Sequence, residues 1–235
     1  VLSLQGPRSR DILAKLTTVD LSNDSFPFAT SQEIEIAYAT VIANRLTYIG
    51  ELGWELFIPT EFAPDVFDNL LMAGKEFDLK PAGYHALEHL RSERAYREYE
   101  LDLTPEDTPL EAGLGFTVAW DKPEGFIGLE ALLKQKEEGL LKKRLVCFRL
   151  KGPKAVLWHE EIIYRNDKIV GYVSSGAYSF NFECSVALGY VKSNKGINMD
   201  FIETGNWEIE SAGVRYKAEA SLKPFYDPDG DKIKG

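Results

Sequence analysis

The segment Tyr48-Ile49-Gly50-Glu51-Leu52-Gly53-Trp54-Glu55 gathers residue types that could do chemistry. Its glycines mark a turn, and Trp54 to Ile58 reads as a strand that ends at Pro59. Neighbouring side chains of a strand point to opposite faces, so Trp54 and Glu55 diverge. One face packs Trp54, and the other carries Glu55 among apolar neighbours. A carboxylate in such a place needs donors. A protein Arg or Lys can supply them, as can solvent, or a ligand with two adjacent N–H groups such as the amino-pyrimidinone edge of a pterin. Tyr48 offers an aromatic face and a hydroxyl near the same turn. Spacing alone leaves these alternatives open.

Other candidate groups are weaker. His85 and His89 are four apart on a predicted helix and could share a face, as metal ligands do. However, Glu88 does not adjoin the first histidine, and the remaining one, His159, is far along the chain, so no metal is expected. Asp227, Asp229 and Asp231 flank Gly230 without the spacing of an EF-hand. Gly50 and Gly53 lack the third glycine and following helix of a dinucleotide fingerprint. Cys147 and Cys184 lie in strand-like apolar runs and read as reduced, buried thiols.

Composition sets the class. The chain has 235 residues, 44% apolar and 27% charged, enough for one large or two small globular domains. Its 27 basic and 37 acidic residues give a formal charge of -10, which argues against nucleic acid or an anionic membrane as partner. No apolar run approaches the ~18–20 residues of a membrane span. With no initiator Met, and Val1-Leu2-Ser3-Leu4 reading as mid-strand, the chain is expected to be cut from a longer polypeptide.

The positioning elements follow from periodicity. Short helices are expected over 9–16, 61–75, 82–99 and 129–136. Tyr84, Leu87, Leu90 and Tyr96 are placed on the inward face of the third. Strands are expected over 33–42, 45–49 and 54–58, and again where 109–116 leads on. Seven more are expected over 144–150, 161–164, 169–173, 185–191, 199–202, 207–210 and 214–220. The composition shift near residue 141 predicts an α+β unit at 1–140 and a small all-β unit at 141–235.

The Tyr48 to Glu55 segment resembles the Tyr-x-Gly-Glu-x-Gly-x-Glu signature of glycine-cleavage T-proteins, the aminomethyltransferases. The same signature occurs in the folate-binding C-terminal parts of sarcosine and dimethylglycine dehydrogenases. Leu4-Gln5-Gly6-Pro7, Ala82-Gly83-Tyr84, Thr108 to Leu114, Phe126-Ile127-Gly128, Lys143 to Cys147 and Gly189-Tyr190-Val191 agree in order, covering nearly the whole chain. Leu52-Gly53-Trp54, Phe26-Pro27-Phe28 and the tail from Leu222 look most like the dehydrogenase branch.

The resemblance implies an aminomethyltransferase-like folate module followed by a small C-terminal β-barrel. Glu55 then matches the residue that binds the pterin, and Tyr48 the tyrosine lining its pocket. Phe116 falls where T-proteins carry a Trp against the folate. Leu87 stands where T-proteins have a folate-contacting Arg, which argues against an ordinary T-protein. The family's catalytic aspartate lies upstream of the segment matching Val1, so no catalytic residue is assigned here. The implied function is the tetrahydrofolate-binding part of a mitochondrial-matrix flavoenzyme of the sarcosine dehydrogenase type. FAD on the N-terminal part of the parent chain oxidises an N-methyl amine substrate and passes electrons to an acceptor flavoprotein. The one-carbon unit is captured as methylene-tetrahydrofolate, and the isolated chain is expected to be inactive. The rivals are the non-catalytic regulatory subunit of pyruvate dehydrogenase phosphatase and a divergent aminomethyltransferase.

Overall fold

The computed structural model describes residues 1–152 and 155–235. The chain forms two compact units, one of residues 1–88 with 229–235 and the other of residues 89–228.

The first unit is built on a four-stranded antiparallel sheet. Its strands are β1 (Leu2–Gln5), β2 (Ser31–Ile36), β3 (Ala39–Asn44) and β4 (Gly53–Phe57), in the order β1-β4-β3-β2. Alternation decides which face is buried. Leu4, Ile34, Ile36, Val41, Ala43, Trp54 and Leu56 point to the core, where helices α1 (Ser9–Leu13) and α2 (Ala63–Gly74) add Ile12, Leu13, Val66 and Leu70. The expected run over 33–42 is a hairpin, turned at Ala37 with a φ of 55°. The strand expected over 45–49 is loop instead. There Thr47 Oγ1 accepts hydrogen bonds from the N–H groups of Ile49 and Gly50, holding the backbone in a turn.

Helix α3 (Tyr84–Glu93) is shorter than expected. It stops because Ala95 adopts a left-handed conformation with a φ of 58°, and Tyr96 N–H donates back to Arg91 C=O at 2.9 Å. Tyr84, expected inward, is 64% exposed.

The second unit holds a closed barrel of six strands. These are β5 (Lys143–Leu150), β6 (Ile162–Arg165), β7 (Lys168–Ser179), β8 (Cys184–Lys192), β9 (Trp207–Ser211) and β10 (Val214–Ser221). Pairing runs β10-β5-β8-β7-β6-β9, and β9 closes on β10. The barrel interior packs Val146, Phe148, Ile163, Val191, Trp207 and Ile209. Two expected strands are corrected here. Residues 109–116 make turns that end in a 3-10 helix over Gly115–Thr117, and 199–202 belong to helix α5 (Met199–Glu203). The N-cap of α5 is Asn198, whose Oδ1 accepts from Phe201 N–H at 2.8 Å. Helix α4 (Leu129–Glu137) precedes the barrel. Among the described residues no helix is long and apolar enough to cross a membrane.

Candidate functional site

Glu55 lies at the centre of the outer sheet face of the first unit. In register it is opposite Ser3 of β1 on one side and Asn44 of β3 on the other, and Asn44 is opposite Ser31 of β2. Ser31, Asn44, Glu55 and Ser3 therefore form one polar row across all four strands. The direct neighbours of Glu55 are thus polar, and the apolar ones lie one row away. There Ile42, 46% exposed, pairs with Phe57, 42% exposed. A groove of about 370 Å3 along that row is lined by Val1, Thr40, Ile42, Phe57, Ile58 and Pro59, among others. Among the described residues the half-buried Glu55 carboxylate has no ion pair or hydrogen bond. A carboxylate so placed accepts two parallel N–H donors from a planar ligand.

The opposite face explains why Glu55 is held firmly. Trp54 is fully buried and meets Phe26 edge-on at 6.1 Å. The Arg45 guanidinium lies 5.6 Å over the Trp54 ring. Arg45 is itself 1% exposed and donates to Phe26 C=O at 2.5 Å, Asn23 Oδ1 at 2.7 Å and Lys234 C=O at 2.6 Å. Burial, and then the nearby Arg10, lower its pKa from the ordinary arginine value. Gly53 is required by closeness rather than by dihedral angle. A Cβ there would fall 2.6 Å from Leu4 C=O and inside the Gln5 carboxamide.

Tyr48 is half-buried in the loop between β3 and β4, beside the turn that leads to Glu55. Phe116 belongs to the second unit, where its ring is 83% exposed on the 3-10 helix. Among the described residues no group of three or more His, Cys, Asp or Glu could hold a metal ion. His89 is taken up in packing: its Nδ1 lies 2.9 Å from Tyr178 C=O, and its ring stacks on Phe180 at 5.8 Å.

Sequence reasoning missed two participants. Asn44 was hidden because the end of β3 was misplaced, which broke the register that sets it opposite Glu55. Arg45 falls in the strand expected over 45–49, and nothing local marks it as buried.

The second unit has a larger cavity, of about 770 Å3, lined by Tyr172, Tyr190, Lys143, Asp107, Lys192 and His159, among others. Neither Tyr48, Glu55 nor Phe116 lines it. Its charged groups are partly spent on each other, since Lys143 Nζ sits 2.5 Å from Asp107. Burial works against the Asp107 carboxylate, but hydrogen bonds from Lys143 and Thr104 outweigh it and hold its pKa below the usual range. Beneath the cavity, buried Arg91 donates to Asp102 at 2.8 Å, and Ser175 Oγ also donates to Asp102 at 2.8 Å. This satisfied network is structural in character.

A four-stranded sheet with a glutamate on its outer face, followed by a closed six-stranded barrel, defines an aminomethyltransferase-like α+β fold. Comparison with known families agrees. Residues 1–122 match the GCVT N-terminal domain and 143–227 match the glycine cleavage T-protein C-terminal barrel domain. The chain belongs to the glycine cleavage T-protein family.

Within it, the chain is 40% identical over 237 aligned residues to the mitochondrial sarcosine dehydrogenase of Homo sapiens, covering all of this chain and 26% of that protein. It is 38% identical to the mitochondrial pyruvate dehydrogenase phosphatase regulatory subunit of Mus musculus, covering 95% of this chain and 27% of that protein. The crystal structure of the glycine cleavage system aminomethyltransferase T from Bartonella henselae superposes with a TM-score of 0.78 at 24% identity. That match covers 96% of this chain and 59% of the other, and it shows the fold alone. The chain thus spans about a quarter of the length of these two curated relatives.

Proposed function

We propose that this chain is the tetrahydrofolate-binding part of a sarcosine dehydrogenase-like flavoenzyme. The observation that carries this is the Glu55 carboxylate. It stands half-buried in the middle of a polar row, with no protein partner among the described residues and an apolar row beside it. In this reading Glu55 holds the N–H pair of the pterin's pyrimidinone edge, while Tyr48 and Phe116 supply aromatic walls. The folate module comprises residues 1–140, and the barrel 141–235. The reduced pterin supplies a nucleophilic nitrogen for the one-carbon unit. The protein's contribution is to orient that nitrogen.

FAD, the N-methyl amine site and the contact with an electron acceptor are assigned to parts of the parent protein outside these residues. A mitochondrial matrix location goes with the same reading, supported by the mitochondrial relatives. The chain alone is proposed to be inactive.

The site is tested by Glu55→Ala in the full-length natural protein. Loss of a charge-assisted pair of hydrogen bonds should weaken tetrahydrofolate binding about 100-fold by calorimetry, with little change in melting temperature. Unchanged affinity rejects the assignment. The flavin part is tested separately by the visible spectrum of the denatured full-length protein. A retained yellow chromophore supports the dehydrogenase. A colourless protein favours the regulatory-subunit reading, for which the 38% identity to that subunit is the specific observation.

A further inference from the structure

Asn44 stands where a second reading group is needed. It is the last residue of the central strand β3, directly opposite Glu55 and on the same outer face. Opposed side chains of an antiparallel pair have Cβ atoms about 5 Å apart, so both can reach one edge of a flat ligand. Asparagine is depleted in strands. Here its carboxamide forms no hydrogen bond among the described residues, with Glu55 or otherwise, although the residue is half-buried. Its backbone carbonyl accepts from Leu46 N–H at 2.9 Å. On the far side of Glu55, Ser3 Oγ accepts from the Gln5 carboxamide at 2.9 Å and keeps a single short O–H to donate. Ser31 is too short and one strand further away. On the β3 side of Glu55 the uncommitted donor is the Asn44 carboxamide, which reaches further than a serine hydroxyl.

An oxo-pyrimidine edge presents its groups in a fixed order: an amino N–H, a ring N–H, then a carbonyl oxygen. Glu55 accepts the two N–H groups. The next group along needs a donor, and the Asn44 carboxamide is one. We propose that Asn44 is a second ligand-binding residue, donating from its carboxamide to the ring carbonyl next to the N–H pair held by Glu55. This inference rests on the pterin reading of Glu55 and adds to it a contact to the oxo group that a carboxylate, which only accepts, does not make.

The test measures tetrahydrofolate binding to the full-length protein by calorimetry, for wild type, Asn44→Ala, Asn44→Asp and Glu55→Gln. A neutral hydrogen bond corresponds to about a tenfold change in affinity. Asn44→Ala should therefore lose about tenfold. Asn44→Asp keeps the size of the side chain, so it also serves where the alanine variant folds poorly. It turns the donor into an acceptor facing the ring carbonyl and should lose more than tenfold. If Glu55→Gln weakens tetrahydrofolate binding but both Asn44 variants bind as the wild type does, the Asn44 assignment is overturned and the Glu55 reading survives. If Glu55→Gln has no effect on tetrahydrofolate, both are overturned.

Discussion

The Arg45 guanidinium lies 5.6 Å over the indole of Trp54, on the face of the sheet opposite Glu55. Its hydrogen-bond partners are neutral oxygens from two separate stretches of chain, Asn23 and Phe26 in one and Lys234 in the other. One side chain thus ties the end of β3 to the 20–30 loop and to the C-terminal segment of the first unit. Arg45→Ala removes these bonds and leaves a void against Trp54. It should cost about 3 kcal/mol in urea unfolding. Arg45→Lys should recover little, because a point charge cannot reproduce a planar fork. A loss under about 1 kcal/mol for Arg45→Ala would mean the loop holds itself.

Gly53 gives a sharper steric test. A methyl group there meets the Leu4 carbonyl at 2.6 Å and the Gln5 carboxamide. The carboxamide can move but the backbone cannot, so β1 must shift away from β4. Gly53→Ala should therefore destabilise by about 1–3 kcal/mol, in the range of overpacked sites. If Glu55 holds the pterin as proposed, affinity for it should fall as well, since the Ser3–Glu55 register is disturbed. A stable variant with native affinity would show that β1 gives way freely.

What the sequence made legible followed physical regularity. Strands β5, β6, β8, β9 and β10 carry short runs bounded by turn residues, and each was placed within a few residues. The burial of Trp54 followed from simple alternation. The failures have local causes. Helix α3 ends at Glu93, stopped by the left-handed Ala95, although alanine signals continued helix. Residues 199–202 form a short apolar run whose period cannot separate strand from helix, and only the Asn198 cap tells them apart. Arg45 is buried by contacts from distant segments that no local pattern shows. For the candidate site, Tyr48 and Glu55 stood out through motif and face, but the partner Asn44 needed the observed register.

Phe116 separates stability from binding. At 83% exposure its ring contributes little to the packing of the second unit. Phe116→Ala should change stability by no more than about 0.5 kcal/mol, as surface substitutions do. If the ring is an aromatic wall for the folate, affinity should fall about tenfold through lost stacking. A calorimetric titration showing native affinity would remove Phe116 from the site while leaving Glu55 in it.

The cysteines should be inert in the native state. Burial is the leading cause that pushes the Cys147 thiol up to about 11, and it raises Cys184 as well. Both side chains are buried and unpaired as free thiols. The thiolate is the reactive form, so at pH 7.5 an aromatic disulfide reagent should release little chromophore before unfolding. In denaturant both thiols of this chain should react. Rapid native labelling would place one of them at an accessible, activated position.

The Asp107–Lys143 pair should set part of the acid stability of the barrel unit. The Asp107 side chain is 4% exposed and accepts from Lys143 at 2.5 Å, Thr104 N–H at 2.8 Å and Thr104 Oγ1 at 2.7 Å. Its folded pKa is below the ordinary carboxylate value despite the opposing effect of burial. The unfolded state therefore takes up a proton more readily than the folded state. Stability from this group is fully present above the unfolded pKa of about 4 and drains away as pH falls through the lower folded value. Asp107→Asn keeps the shape but loses the charge, and leaves Lys143 without its partner. It should cost about 2 kcal/mol at pH 7, and the difference from wild type should shrink as pH falls below about 4. Urea unfolding at pH 7 and pH 3 measures both. A difference that stays constant across that interval would assign the effect to packing rather than to the charge.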